Sequence, residues 1–130
     1  MREILFRAKK ISNNEWIRGY LINNIYGASK PVIITDSDYD DGNKVNFDYD
    51  FVYTETLGQF TGLYDENGKR IFEGDIVKCT THYGERRSNR AVVFVDGQFL
   101  LENKGDYILA VSYEKEVIGN IYDNPELLEE

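Results

Sequence analysis

The clearest feature of the chain is an alternation of apolar and polar residues between Val45 and Thr54. A period of two residues is typical of a β-strand with one buried face. We expect the apolar row to face the core, because a row of apolar side chains on one strand face is usually buried. A base-stacking platform for nucleic acid is the alternative, and the interleaved acidic residues oppose it. The apolar row consists of Val45, Phe47, Tyr49, Phe51 and Tyr53.

Shorter patterns predict strands on the N-terminal side of this segment. Residues 4–8 alternate, and residues 16–22 are rich in aromatic and branched side chains, so we expect the two segments to pair as a hairpin. Gly19 interrupts the second segment, which indicates a β-bulge or the close approach of another backbone. Another strand is predicted to begin at Val32.

Glycine-containing turns divide the C-terminal half of the chain. Asn67-Gly68 and Asp96-Gly97 each predict a two-residue hairpin turn, and in the type I′ form both turn residues have positive φ. Gly74 predicts a sharp bend before the next strand. Five short strands then follow between residues 76 and 122, and their close spacing predicts a small barrel that is SH3-like by analogy.

The patterns together predict a mainly β chain in two parts. Residues 1–58 are expected to form an antiparallel N-terminal β lobe. This lobe is expected to pack on a small SH3-like β-barrel formed by residues 59–130, and the two parts could also count as one domain. Asn124 and Pro125 are suited to the N-cap and first position of a helix, so a short C-terminal helix is predicted.

One segment also resembles a known family. Residues 59–78, QFTGLYDENGKRIFEGDIVK, resemble the signature segment of the YopX family, small proteins encoded by bacteriophages and prophages. The opening residues 1–7, Gly19 and the tail from Glu116 resemble the family's two ends. The resemblance implies a fold and a phage or prophage origin, and it implies no reaction. The signature positions, which we interpret as structural, are Thr61, Gly62, Leu63, Asn67, Gly68, Gly74, Asp75, Gly119, Asn120 and Pro125.

The charge distribution bears on the choice of partner. The net charge is −8, which disfavours nucleic acid because phosphate binding normally needs a basic footprint. Residues 1–30 nevertheless carry six basic and two acidic side chains. The only basic cluster outside this region is formed by Arg86, Arg87 and Arg90, which are possible partner contacts.

No set of residues in the sequence predicts a catalytic, cofactor or metal site. Cys79 and His82 lack the further Cys or His ligands that a zinc site needs, because the chain has one residue of each type. The acidic segment at residues 36–43 does not match the ligand spacing of a calcium loop. The carboxylates near the central turn have no base or acid placed to partner them, so we expect no enzymatic activity. They are Asp65, Glu66, Glu73 and Asp75.

These observations favour a cytoplasmic, non-catalytic phage accessory protein that binds a host or phage protein. A single cysteine fits a reducing compartment, and we find no apolar run suited to a signal peptide or membrane span. One alternative is a nucleic-acid-binding protein that uses the Arg86–Arg90 loop and the N-terminal basic residues. Another is that the acidic segment at residues 36–50 mimics phosphate for a host DNA-binding protein. Homo-oligomers are a further possibility, because exposed strand edges can pair.

Overall fold

The structure, a computed structural model, describes residues 2–23, 27, 30–39, 45–80, 87–102, 106–109 and 113–128. The prediction of a mainly β chain is confirmed, and the strands form two open antiparallel sheets. Short 3₁₀ helices lie at Thr54–Thr56 and Pro125–Leu128. The strands are β1 (Phe6–Lys9), β2 (Trp16–Ile22), β3 (Val32–Tyr39), β4 (Val45–Phe51), β5 (Gly58–Tyr64), β6 (Arg70–Phe72), β7 (Asp75–Thr80), β8 (Arg87–Val95), β9 (Gln98–Glu102), β10 (Asp106–Ile108) and β11 (Tyr113–Asn120).

The chain divides into two compact units, residues 1–59 and residues 60–130. In the first unit β4, β3, β2 and β1 are neighbours in that order, and β1 also pairs with the first two residues of β5. The predicted hairpin of β1 and β2 is confirmed, with Arg7 opposite Arg18 and Ala8 opposite Ile17. The predicted domains, residues 1–58 and 59–130, which could also count as one, stay a prediction.

The second unit contains the hairpin of β5 and β6 and a five-stranded sheet with the order β10-β9-β8-β7-β11. The five strands are those predicted between residues 76 and 122. They form an open sheet rather than a closed barrel, because in the described ladders β10 pairs with β9 and β11 pairs with β7. The predicted C-terminal helix is a single 3₁₀ turn. Among the described residues, none of the helices is long and apolar enough to cross a membrane.

Each unit has its own apolar core. In the first unit, Ala8, Ile33 and Val52 are buried against one another. We call the side of this sheet that carries Ile33 the inner face, and the opposite side the outer face. In the second unit the core is larger and includes the Cys79 thiol, so this cysteine is a buried core residue. Its buried members are Ile71, Val77, Cys79, Val92, Leu101 and Leu109.

Gly19 marks a close approach of two strands, as the sequence pattern predicts. A Cβ atom at this position would clash with the backbone carbonyl oxygen of Ile34 on the neighbouring strand β3. The obstacle is backbone, which cannot rotate away as a side chain can. Glycine therefore sets how closely β2 and β3 pack.

Candidate binding surface

The aromatic row of β4 lies on the outer face, so the prediction that it faces the core is wrong. Phe47, Tyr49 and Phe51 are 49%, 38% and 38% exposed. The strand register explains the difference, because Tyr49 pairs with Ile34 whereas Asp50 pairs with Ile33. Directly paired residues of antiparallel strands share a face. The polar row of β4, which includes Asp48 and Asp50, therefore lies on the inner face. The same row continues beyond β4 with Val52, which is buried.

Strand β2 extends the apolar outer face. Tyr20 is 63% exposed and pairs with Ile34, and Ile22 is also exposed and pairs with Val32. Val32 and Ile34 are buried between these residues and the aromatic row of β4. The outer face thus presents exposed side chains from two strands separated by β3, and Tyr49 and Phe51 meet edge to face with ring centroids 6.0 Å apart.

Positive charges occupy the same outer face. Along β2, Trp16 and the exposed Arg18 precede Tyr20 at two-residue intervals, so the three side chains share a side. Lys9 pairs with Trp16, and its Nζ lies 5.5 Å from the centroid of the Trp16 ring. The guanidinium carbon of Arg7 lies 4.9 Å from the same ring. Such cation–π contacts hold the indole in place.

The described carboxylates of β4 lie on the inner side of the sheet. Asp50 approaches Lys10 with a distance of 4.0 Å between carboxylate oxygen and Nζ. Asp48 is two residues away on the same strand and has the same orientation. The acidic residues that alternate with the aromatic row in the sequence are therefore on the other side of the sheet from it.

A cavity of about 320 Å³ lies beside Tyr20. It is lined by residues of the N-terminal segment, of β1 and of β2: Arg2, Glu3, Ile4, Phe6, Tyr20 and Leu21. One carboxylate and one guanidinium group line it together with apolar side chains. The cavity therefore lies at one end of β2, between Tyr20 and the N-terminal segment.

The signature residues of β5 form a β-bulge. The pairing of β5 and β6 shifts register between Phe60 and Tyr64. Within this interval the Thr61 hydroxyl donates to the Ile71 carbonyl oxygen at 2.8 Å and accepts from the Leu63 amide at 3.2 Å. Gly62 has φ of +88°, a conformation that strongly favours glycine. The hydroxyl thus bridges the two strands where their ladder is interrupted.

The turn at Asn67-Gly68 differs from the predicted type I′ turn. Gly68 has φ of +80°, but Asn67 does not have positive φ. The Gly68 amide donates to the Asp65 carbonyl oxygen at 3.0 Å, and the Asp65 amide donates to the Lys69 carbonyl oxygen at 2.8 Å. This is a three-residue loop in which glycine takes the left-handed position. The second predicted turn is confirmed as type I′, because Asp96 and Gly97 both have positive φ and β8 and β9 pair directly beside them.

The Asp65 side chain explains the longer loop and links it to β11. One carboxylate oxygen accepts from the amides of Asn67 at 2.9 Å and Lys69 at 2.8 Å. The other accepts from the Val117 amide at 3.0 Å, 52 residues further along the chain. Burial raises the pKa of the Asp65 carboxyl, but these backbone donors and the charge of Lys69 lower it by more, so the net pKa is below its ordinary value.

Asp75 and Gly74 form a second buried junction. Asp75 is 1% exposed, and its carboxylate accepts from the Phe72 amide at 2.7 Å. Gly74 has φ of +93°, and its amide and carbonyl bond to Val92 of β8 and to Ile121 at 2.8 and 2.9 Å. The bend predicted at Gly74 is thus the point where three segments of the second unit join.

The C-terminal signature residues form a third junction. The Asn120 side-chain oxygen accepts from the amides of Tyr122 and Asp123, and the Asn120 amide donates to the Asn124 side chain at 3.2 Å. Pro125 starts the 3₁₀ turn, and the Asn89 side chain of β8 donates to the Leu127 carbonyl oxygen at 2.8 Å. A Cβ atom at Gly119 would lie 2.6 Å from the Asn124 side-chain oxygen, so glycine leaves room for this turn.

Comparison with known proteins identifies the family of the chain. The profile of the YopX protein family matches residues 5–129. The chain belongs to the YopX family. The crystal structure of protein EF1440 from Enterococcus faecalis is similar over 99% of this chain and 100% of that chain, with 31% sequence identity and a TM-score of 0.69. The comparison with curated proteins finds no match.

In this YopX-family chain the predicted basic cluster is only partly described. Arg86 and His82 lie outside the described residues, and only the backbone of Arg87 in β8 is described. Arg90 is 6% exposed, and its Nε donates to the Ser88 hydroxyl at 3.0 Å. Its contact with a partner stays a prediction. Of the acidic segment, residues 40–44 lie outside the described part of the chain.

The predicted carboxylates near the central turn are not brought into one group. Asp65 and Asp75 each accept backbone amides at separate junctions, while Glu66 is exposed and Glu73 is half-buried. Within the described ranges, no group of three His, Cys, Asp or Glu side chains could hold a metal ion. From the sequence, the aromatic row was considered as a base-stacking platform, but the buried interpretation was preferred. The signal that could have reversed this choice is Val52, an apolar residue directly after β4 that continues its otherwise polar row.

Proposed function

We propose that this YopX-family chain is a non-catalytic phage or prophage accessory protein that binds a macromolecule through the outer face of its first unit. The observation that carries the proposal is the set of large apolar side chains exposed together on one side of the sheet. Exposed apolar patches on soluble proteins mark interaction surfaces more often than isolated exposed residues do. The exposed set is Tyr20, Ile22, Phe47, Tyr49 and Phe51.

The use of the family's signature residues supports the non-catalytic part of the proposal. Asp65 and Asp75 bind backbone amides within the second unit. Carboxylates in such positions stabilise turns and junctions, and general acid–base chemistry would need them to face a substrate. These contacts support a structural role for the two carboxylates of the signature segment.

The cytoplasm of a bacterial host cell is the proposed location of this activity, on the grounds of the single cysteine and the phage resemblance. The acidic net charge favours a protein partner, and nucleic acid is the alternative. The placement of Arg18 and Lys9 beside the exposed aromatic rings, with Asp48 and Asp50 on the other side, favours the alternative as the occupant of the outer face.

Site-specific photocrosslinking tests the proposed function. A photoreactive aromatic amino acid would replace Tyr49 on the outer face in one variant and Phe94 in a second. Phe94 is a suitable control because it is an exposed aromatic strand residue of the second unit. In bacterial extract, the variant at position 49 is expected to form defined adducts and the variant at position 94 is not.

Digestion of the adducts then identifies the class of partner. Collapse of the adduct to the mass of the chain on nuclease treatment indicates nucleic acid, and an adduct that keeps its mass after nuclease treatment indicates protein. Either result at position 49 alone supports binding at the outer face. No adduct at position 49, or the same adducts at both positions, would overturn the proposed function.

A further inference from the structure

We propose that the outer face binds single-stranded nucleic acid by stacking unpaired bases on its aromatic rings. This inference rests on the proposed function and names the chemistry of the partner. Base-stacking surfaces in proteins combine exposed aromatic side chains with cations that contact the phosphate backbone, and they tolerate many sequences because every base has a π face. The outer face contains both elements.

The aromatic positions are spaced along and across the strands. Tyr20 and Tyr49 both pair with Ile34, from opposite sides, so their backbones are about 10 Å apart across two strand spacings. Along β2, Trp16 and Tyr20 are four residues apart, about 13 Å in an extended strand. The exposed rings of Tyr20 and Tyr49 are far enough apart to take different bases, and Trp16 lies beside them in contact with Arg7 and Lys9.

The cations are placed to contact phosphates beside those bases. Arg18 is exposed between Trp16 and Tyr20 on the outer side of β2. Lys9, which is on β1, lies opposite Trp16 of β2. The Nε and one terminal nitrogen of Arg7 are buried, so Arg7 contributes by holding the Trp16 ring, whereas Arg18 faces solvent.

The positions of the charged side chains in the sheet answer the objection that acidic residues next to the aromatic row would repel phosphate. In the linear sequence, Asp48 and Asp50 alternate with the aromatic row and would repel phosphate. In the sheet they lie on the inner side, and Asp50 faces Lys10. The net charge of −8 still opposes binding that depends on many phosphates. Binding should therefore depend mainly on stacking, with a weak dependence on salt.

Fluorescence anisotropy of a labelled oligothymidine tests the inference directly. An oligonucleotide of about 15 residues is suitable, because single OB-fold domains that bind by stacking cover roughly 4–16 nucleotides. With Lys9 and Arg18 as the phosphate contacts, the logarithm of the binding constant is expected to fall against the logarithm of salt concentration with a slope of about −1.4. A matched duplex of the same length is expected to bind more weakly, because its bases are already stacked on one another.

Single substitutions separate stacking from charge. Tyr49→Ala and Tyr20→Ala are each expected to weaken binding of the single strand by about 5- to 150-fold, the range for loss of one stacked base. Arg18→Ala is expected to make the salt slope shallower by about 0.7. Phe94→Ala and Lys69→Ala remove an exposed ring and an exposed cation in the second unit, and both should leave binding unchanged.

Each remaining outcome counts against the inference. No binding of the single strand at low salt overturns it, and so does equal affinity for the duplex. If Phe94→Ala weakens binding as much as Tyr49→Ala, the outer face is not the site. If sedimentation shows a dimer that Tyr49→Ala dissociates, the occupant is a second copy of the chain. A protein adduct at position 49 without oligonucleotide binding would leave the proposed function standing and overturn only the nucleic-acid partner.

Discussion

Selected aromatic and acidic residues of the two units lie in contrasting surroundings. In the first unit, Phe47 and Tyr49 are exposed on a sheet face. In the second unit, Phe60 and Phe72 are 4% exposed and pack together with ring centroids 5.6 Å apart. The carboxylates differ as well, since Asp50 is partly exposed beside Lys10 whereas Asp75 is buried and binds a backbone amide.

This contrast indicates where binding capacity is located. Groups that bind a neighbouring backbone or fill a core are already satisfied, and exposing them would cost stability. The side chains of the outer face are not needed to complete a core. The buried aromatic and acidic residues of the second unit contribute to its stability, and under the proposed function the outer face of the first unit is the surface available to a partner.

The largest expected effect is loss of an aromatic core residue in the second unit. Phe72→Ala should lower the free energy of unfolding by about 3–5 kcal/mol, because it removes buried apolar surface and leaves a cavity. Urea denaturation followed by circular dichroism measures the change. Phe94→Ala should cost about 1 kcal/mol or less, since its ring is exposed and contacts Phe99. Equal losses for the two variants would contradict the contrast.

An intermediate effect is expected at Asp65. Asp65→Ala removes the acceptor for three backbone amides and should lower the free energy of unfolding by about 2–4 kcal/mol. Glu66→Ala, at the adjacent exposed position, is the matched control and should cost less than about 1 kcal/mol. A control loss as large as that of Asp65→Ala would show that the turn, and not the buried carboxylate, is responsible.

The same carboxylate predicts the direction of an acid effect. Its pKa is lowered in the folded protein, so its contribution to stability is complete above the unfolded-state pKa and is lost as pH falls through the folded-state value. The stability advantage of the natural protein over Asp65→Asn should therefore shrink on acidification below about pH 4. A constant difference between the two proteins from neutral to strongly acidic pH would contradict this assignment.

The smallest effect on stability is expected on the outer face. Tyr20→Ala should change the free energy of unfolding by about 1 kcal/mol or less, because most of the ring is already in contact with water. The measurement is the same urea titration used for Phe72→Ala. A loss of 3 kcal/mol or more, near the lower bound for truncating a buried aromatic residue, would show that Tyr20 belongs to the fold and not to a binding surface.

Local patterns predict much of this fold because strands and tight turns depend on neighbouring residues. Alternation located β1 and β4, aromatic and branched residues located β2, the glycine at position 19 indicated a bulge or a close strand contact, and Asp96-Gly97 specified its turn type. The predicted type of the turn at Asn67-Gly68 was wrong because the Asp65 side chain accepts hydrogen bonds from two amides of the turn. A rule based on the dipeptide alone does not include that contact.

The candidate site could not be predicted because it depends on register between strands. Alternation places Phe47, Tyr49 and Phe51 on one side of β4 but does not say which side meets the core. That choice follows from the pairing of Asp50 with Ile33 and from the burial of Val52, which ends the polar row. Both depend on residues distant in sequence, because Asp50 pairs with Ile33 and Val52 packs with Ala8 and Ile33.

The bond between Asp65 and the Val117 amide also has a consequence for synthesis of the chain. During translation the β5–β6 hairpin emerges first, and its carboxylate has no third amide to bind until β11 has left the ribosome. The hydrogen bond from the Asn89 side chain to the Leu127 carbonyl oxygen also cannot form until the C-terminal turn has been synthesised. Because contacts between distant residues form late and slowly, folding of the second unit is completed after its last strand is made. A truncated product that ends before β11 would lack these two hydrogen bonds, and we expect proteases to cleave it faster than the full chain.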